Sequence, residues 1–149
     1  FTVSPQISAE DIPELAAAGF RAIICNRPDG EGVDQPSIDG IEVAAKAAGI
    51  DARYVPVQSG VVSEADVEAF GAALEDLQRP VLAYCRTGTR SATLWSFRES
   101  QNRPMAEILA ATKAAGYDMN KDHCKNNGKL DPSGGALDQI RGGRVRAQE

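Results

Sequence analysis

Little in this chain could hold a metal. Its 149 residues contain one histidine, His123, and three cysteines, Cys25, Cys85 and Cys124, with no Cys-x-x-Cys pair among them. One histidine and three scattered cysteines without paired spacing do not make a metal-site pattern, the His123–Cys124 pair included, and neither a metal nor a cofactor is expected. Three cysteines are odd in number and lie far apart in sequence, which argues against a disulfide framework and for a reducing, cytoplasmic compartment. No apolar run reaches the roughly 20 residues that a membrane-spanning helix needs. The opening Phe1-Thr2-Val3-Ser4-Pro5 has neither the charged region nor the apolar core of a signal peptide. Its start at Phe fits a processed product or a fragment. Excess positive charge is missing as well. With 16 Lys and Arg against 21 Asp and Glu the net charge is -5, so neither nucleic acid nor an acidic membrane surface is an expected partner.

What is present suits one globular domain with a single core, at 42% hydrophobic residues. Ser8-Ala9-Glu10-Asp11 places a hydroxyl cap three residues before an acid and opens a helix that runs to Ala18 and stops at Gly19. Arg21 to Cys25 reads as a short strand, and Asn26 to Gly32 as a turn-rich loop. A second helix spans Ser37 to Ala48, followed by a strand over Arg53 to Val57 that Pro56 marks as an edge or an end. Gln58-Ser59-Gly60 is a loop, and Ser63-Glu64-Ala65-Asp66 caps a third helix to about Leu77. Val81 to Tyr84 is the most apolar strand and so the central one. Helices follow over Arg90 to Ser100 and over Met105 to Ala115, the last ended by Gly116. The alternation predicts an α/β fold, a three-layer sandwich with a central, mainly parallel sheet covered on both faces. The domain is expected to occupy residues 1–118. Residues 119–149 then form a polar tail or linker with a weak helix near Leu137 to Arg141, and lead to a further domain in a longer protein.

In such sheets ligands bind beyond the carboxyl ends of the strands, where Cys25-Asn26-Arg27, Gln58-Ser59 and Cys85 to Arg90 all fall. The third segment carries the chemistry. Tyr84-Cys85-Arg86-Thr87-Gly88-Thr89-Arg90-Ser91 is a strand end, a tight loop and a helix start, a pattern that turns backbone N–H groups inward around an anion. Cys85 is the candidate nucleophile. The amides from Arg86 through Thr87, Gly88 and Thr89 to Arg90 are the candidate cradle, with Gly88 supplying the turn. Arg90 has the planar fork that grips oxyanions in two places, and the Ser91 hydroxyl is placed to donate to the thiolate. Accessory candidates are Arg27, Asp29, Gln58 and Cys25. Arg27 adds positive charge or leads a turn, and Asp29 and Glu31, substitutes for a general acid by position only, read best as ordinary residues of a Pro-Asp-Gly turn. Cys25 is either a buried core thiol or a resolving partner for Cys85.

The loop, followed by Leu94-Trp95, resembles a family of bacterial dual-specificity-phosphatase-like domains, known variously as beta-lactamase-hydrolase-like, tyrosine-phosphatase-family or sulfurtransferase proteins. Gln6-Ile7-Ser8, Gly19-Phe20, Asn26 to Glu31, Gln35-Pro36 and Pro56-Val57 carry the same resemblance in order, over about Phe1 to Asp118. It implies a cysteine-phosphatase-like sandwich and, as a partner, a sulfide-oxidising or persulfide-oxidising flavoprotein domain, fused or separate. Two departures bear on activity. Cysteine phosphatases carry Cys-x(5)-Arg, whereas Cys85 and Arg90 are separated by four residues, as in rhodanese-type loops. Phosphatases of this fold also use an Asp on a neighbouring loop as general acid, and Gln58-Ser59-Gly60-Val61-Val62 contains no carboxylate. Sulfur transfer needs no such acid, because a thiolate leaves readily. The expected function is therefore a sulfurtransferase that carries sulfane sulfur as a persulfide on Cys85, from thiosulfate or a persulfide donor to a thiol acceptor. The alternative is a tyrosine or dual-specificity phosphatase with a phosphocysteine at Cys85. A third class, anion recognition without turnover, is poorly motivated by an intact thiol.

Overall fold

A computed structural model describes residues 1–117. The expected tail, with His123, Cys124 and the helix near Leu137, lies outside the described residues, as does residue 118. Four strands form one sheet: β1 (Thr2–Ser4), β2 (Ala22–Cys25), β3 (Asp51–Tyr54) and β4 (Val81–Tyr84). Their order is β1-β4-β2-β3 and every pairing is parallel. A short 3-10 turn over Ala9–Asp11 leads into α1 (Ile12–Ala17). The other helices are α2 (Ile38–Ala48), α3 (Glu64–Asp76), α4 (Thr89–Glu99) and α5 (Met105–Ala114).

Burial explains the layout. All four residues of β2 and all four of β4 are buried, as strands covered on both faces must be. Alternate residues divide between two cores. Ile23, Cys25, Leu82 and Tyr84 pack with Ile12 and Leu15 of α1 and Ile38, Ile41 and Ala45 of α2. Ala22, Ile24, Val81 and Ala83 pack with Phe70 and Leu74 of α3, Leu94 and Trp95 of α4, and Ile108 of α5. The three-layer α/β sandwich with its parallel sheet is thus observed, and β4 is an interior strand as the sequence suggests.

Two details differ from the expectation. The strand β1 carries no periodic pattern in its three residues, and it exists because β4 offers a free edge to pair with. The third strand lies earlier than Arg53 to Val57. Pro56 has no N–H to give, and pairing continues around it through Val55 N–H on the Cys25 carbonyl (2.9 Å) and Val57 N–H on the Asn26 carbonyl (3.0 Å). Among the described residues, no helix is long and apolar enough to cross a membrane.

Candidate active site

The site begins where β4 ends. Cys85 follows Tyr84, and Gly88 takes a φ of +94° as the residue that caps α4, a conformation that favours glycine. The loop closes on its first residue: Gly88 N–H donates to Cys85 Sγ at 3.0 Å. From outside the loop, Gln6 N–H donates to the Arg86 carbonyl (3.2 Å) and the Tyr117 hydroxyl to the Thr87 carbonyl (3.1 Å). Of the loop N–H groups, that of Gly88 faces the sulfur, while Thr89 N–H donates to Thr87 Oγ1 at 3.4 Å. Thr87 Oγ1 and Thr89 Oγ1 are 3.0 Å apart and brace the same turn. Cys85 is 1% exposed.

Arg90 occupies the first turn of α4 and is almost wholly buried. Its Nη1 and Nη2 donate to Glu31 Oε2 and Oε1 at 2.8 and 2.6 Å, and Nη1 also donates to the Val57 carbonyl at 2.9 Å. A guanidinium has five N–H groups. Three are thereby committed, and Nε–H with one N–H of Nη2 is left on the other edge of the fork. Burial alone would weaken the guanidinium's hold on its proton. Glu31 and the nearby Cys85 outweigh it and push its pKa above the ordinary value. Glu31 in turn is held below the ordinary carboxylate range, first by its hydrogen bonds from Arg90 and then by Arg27. Arg27 Nε lies 3.2 Å from Glu31 Oε1, and its Nη1 donates to Gln6 Oε1 at 3.1 Å.

Several sequence-predicted residues are placed otherwise. Asp29 is exposed and its carboxylate accepts the Ile38 N–H at 3.0 Å, so it organises the start of α2. Gln58 is exposed, and only its backbone is fixed, by Val61 N–H on its carbonyl (3.3 Å). Arg86 is exposed at the mouth of the loop. The Ser91 hydroxyl does not reach for Cys85. It donates to Asn26 Oδ1 at 2.8 Å, because that fully buried amide oxygen needs a donor. Cys25 donates from Sγ to the Arg27 carbonyl at 3.3 Å, and burial raises its pKa despite a hydrogen bond with Tyr84. Gln6 and Tyr117, which sequence reasoning passed over, belong to the site's framework, and so does Glu31, which reads from sequence as a turn residue. Only Glu31 left a signal, since an arginine at the start of a buried helix requires a counter-charge. Among the described residues, no cluster of three or more potential ligands could hold a metal.

The profile of the phosphatase-like domain of beta-lactamase hydrolase-like proteins matches residues 1–103. The chain belongs to this family. A beta-lactamase hydrolase-like protein of Agrobacterium fabrum is 37% identical over 120 residues, which cover 79% of this chain and 28% of that protein. The chain thus spans about a quarter of the length of the curated relatives it matches. Among solved structures, a candidate phosphatase from Neisseria meningitidis superposes with a TM-score of 0.72 at 38% identity, covering 78% of this chain and 83% of the other. A kinase associated phosphatase with its catalytic cysteine replaced by serine shares the fold at a TM-score of 0.56 and 17% identity, over 68% and 61% of the two chains. The fold is therefore that of the cysteine phosphatases. Within this phosphatase-like domain, Gln6, Glu31, Cys85 and Arg90 all fall inside the matched region, whereas Tyr117 lies beyond it.

Proposed function

We propose that this phosphatase-like domain is a sulfurtransferase in which Cys85 carries sulfane sulfur. The observation that carries the reading is the state of Glu31. It is the carboxylate at the loop, and two arginines hold it ionised. A carboxylate in that state is a poor general acid, so the cleavage of an unactivated phosphate ester would lack a proton for its alkoxide. Sulfur transfer does not require one. The Cys85 thiolate attacks the outer sulfur of thiosulfate, the S–S bond breaks, and sulfite departs with the bonding electron pair. The resulting persulfide anion on Cys85 lies under the Gly88 N–H and beside the Arg90 guanidinium. An acceptor thiolate then attacks the terminal sulfur, takes it as a new persulfide and returns Cys85 as thiolate. A persulfide donor would enter by the same exchange. Arg86, Thr87 and Thr89 complete the cradle, and Arg27 reaches the anion through Glu31. A reduced thiol suits the cytoplasm, and a sulfide-oxidising flavoprotein, fused or separate, is the partner whose chemistry matches.

The second reading is a cysteine-dependent phosphatase, favoured by the family's fold and by its neighbours. One experiment separates the two. The protein and Cys85→Ser are incubated with thiosulfate and, separately, with p-nitrophenyl phosphate. A Cys85-dependent mass gain of one sulfur atom is the expected result. Robust phosphate release with no persulfide would reverse the assignment, and no Cys85-dependent reaction of either kind would leave a domain that only recognises anions.

A further inference from the structure

Tyr117 approaches the loop from the far side of the chain. Gly116, at a φ of +93°, turns the backbone after α5, and Tyr117 N–H closes back on the Thr112 carbonyl at 2.8 Å, a Schellman arrangement. The turn sends the tyrosine ring into a small core with Val3 and Ala92. Its hydroxyl then donates to the Thr87 carbonyl at 3.1 Å. The other end of that same peptide unit is Gly88 N–H, which donates to Cys85 Sγ at 3.0 Å. In a trans peptide the C=O and N–H point opposite ways, so a donor fixed on one end sets where the other end aims. Gly88 is also where this peptide could turn over most easily. Any side chain there would strike the tyrosine, since a Cβ on Gly88 would overlap the Tyr117 hydroxyl.

We infer that Tyr117 is a positioning residue for the nucleophile: by donating to the Thr87 carbonyl it holds the Thr87–Gly88 peptide with its N–H on the Cys85 sulfur. Burial first, and the nearby Cys85 second, push the phenol's pKa well above its ordinary value, so it remains a donor at neutral pH. Two hydrogen bonds in line through one peptide polarise each other, and a donor to sulfur favours the charged form of the thiol. The role holds for sulfur and for phosphoryl transfer alike, because it concerns only Cys85.

The test therefore reads the thiol and not turnover. The rate of Cys85 alkylation by iodoacetamide is followed against pH, by peptide mapping, for the wild type, Tyr117→Phe and Thr112→Val. The other groups acting on Cys85 stay in place in all three: Arg90 with Glu31 behind it, Arg86 in the loop and Cys25 from β2. Thr112→Val removes a buried hydroxyl of α5 that serves only its own helix, on the Ile108 and Leu109 carbonyls. Tyr117→Phe is expected to raise the midpoint and to slow alkylation at neutral pH by about three- to tenfold, while Thr112→Val leaves the midpoint unmoved. A Tyr117→Phe profile that superposes on the wild type overturns the inference, and so does an equal shift from Thr112→Val. Should Tyr117→Phe not fold, site-specific 3-fluorotyrosine keeps the shape and strengthens the donor. It is expected to lower the midpoint, and an unmoved midpoint is again fatal.

Discussion

Cys25 ends β2 and Cys85 directly follows β4, one residue out of register, since Cys25 pairs with Tyr84. Both thiols are free and buried, yet their surroundings have opposite polarity. Cys25 gives its proton to a carbonyl and sits beside a phenol in an apolar core, so burial raises its pKa. Cys85 receives an N–H and lies beside the Arg90 guanidinium. What differs is the chain that follows. After Cys25, Asn26 and Arg27 continue toward a proline, and a carbonyl is what faces the sulfur. After Cys85, the left-handed Gly88 folds the chain back and an N–H faces it. Burial makes neither thiol reactive by itself; the sign of the nearest backbone dipole separates them.

Replacing each thiol is the strongest way to break this contrast. Cys85→Ser is expected to reduce sulfur transfer on the order of a thousandfold or more, and Cys25→Ser by about twofold or less at neutral pH. Equal losses in a thiosulfate–cyanide assay would mean that both cysteines share the chemistry. Next in size is Glu31, the counter-charge of the arginine beside Cys85. Glu31→Gln frees the fork of Arg90, and a drop of about tenfold in transfer is expected from the lost orientation. Stability should fall by about 1 kcal/mol, a small figure because solvent reaches the carboxylate. Its pH dependence has a fixed sign. The folded pKa of Glu31 lies below its ordinary 4.5, so its contribution is whole above that value and is lost as pH falls through the lowered one. Thermal unfolding of wild type and Glu31→Gln should therefore differ by a constant amount at about pH 6 and draw together as the pH falls below 4.5. Parallel curves would show that Glu31 does not titrate against Arg90.

The strand–loop–helix around Cys85 was legible because its signals are local: an apolar run, a glycine and a helix start within a few residues. The interior position of β4 followed from its apolarity, and the edge position of β3 from Pro56. The strand β1 was not legible, because three residues have no period and owe their pairing to β4. The partners of Glu31 and Tyr117 were hidden for another reason. Glu31 lies 59 residues from Arg90 and Tyr117 30 residues from Thr87, and nothing local in a Pro-Asp-Gly turn or after a helix-ending glycine shows what the fold will bring against it. Ser91 was misjudged because its proton has two possible acceptors, and the need of Asn26 becomes visible only once β2 and α4 are packed together.

Ser91 and Cys25 supply the smaller tests of the comparison. Ser91→Ala leaves the buried Asn26 Oδ1 without its donor, and a loss of about 1–2 kcal/mol in denaturant unfolding is expected with little change in the Cys85 alkylation midpoint. A large midpoint shift would mean that the hydroxyl serves the thiol after all. Last, the two cysteines can be compared in one sample without mutation. Because burial holds Cys25 above its reference value of 9.0, iodoacetamide at about pH 8 should label the Cys85 peptide and leave the Cys25 peptide intact, since only the thiolate reacts. Labelling of Cys25 should begin only when the pH is raised well past that reference or the chain is unfolded. If both peptides are modified together at about pH 8 in the folded protein, the opposed dipoles do not govern these two sulfurs, and the choice of Cys85 as nucleophile would rest on its loop sequence alone.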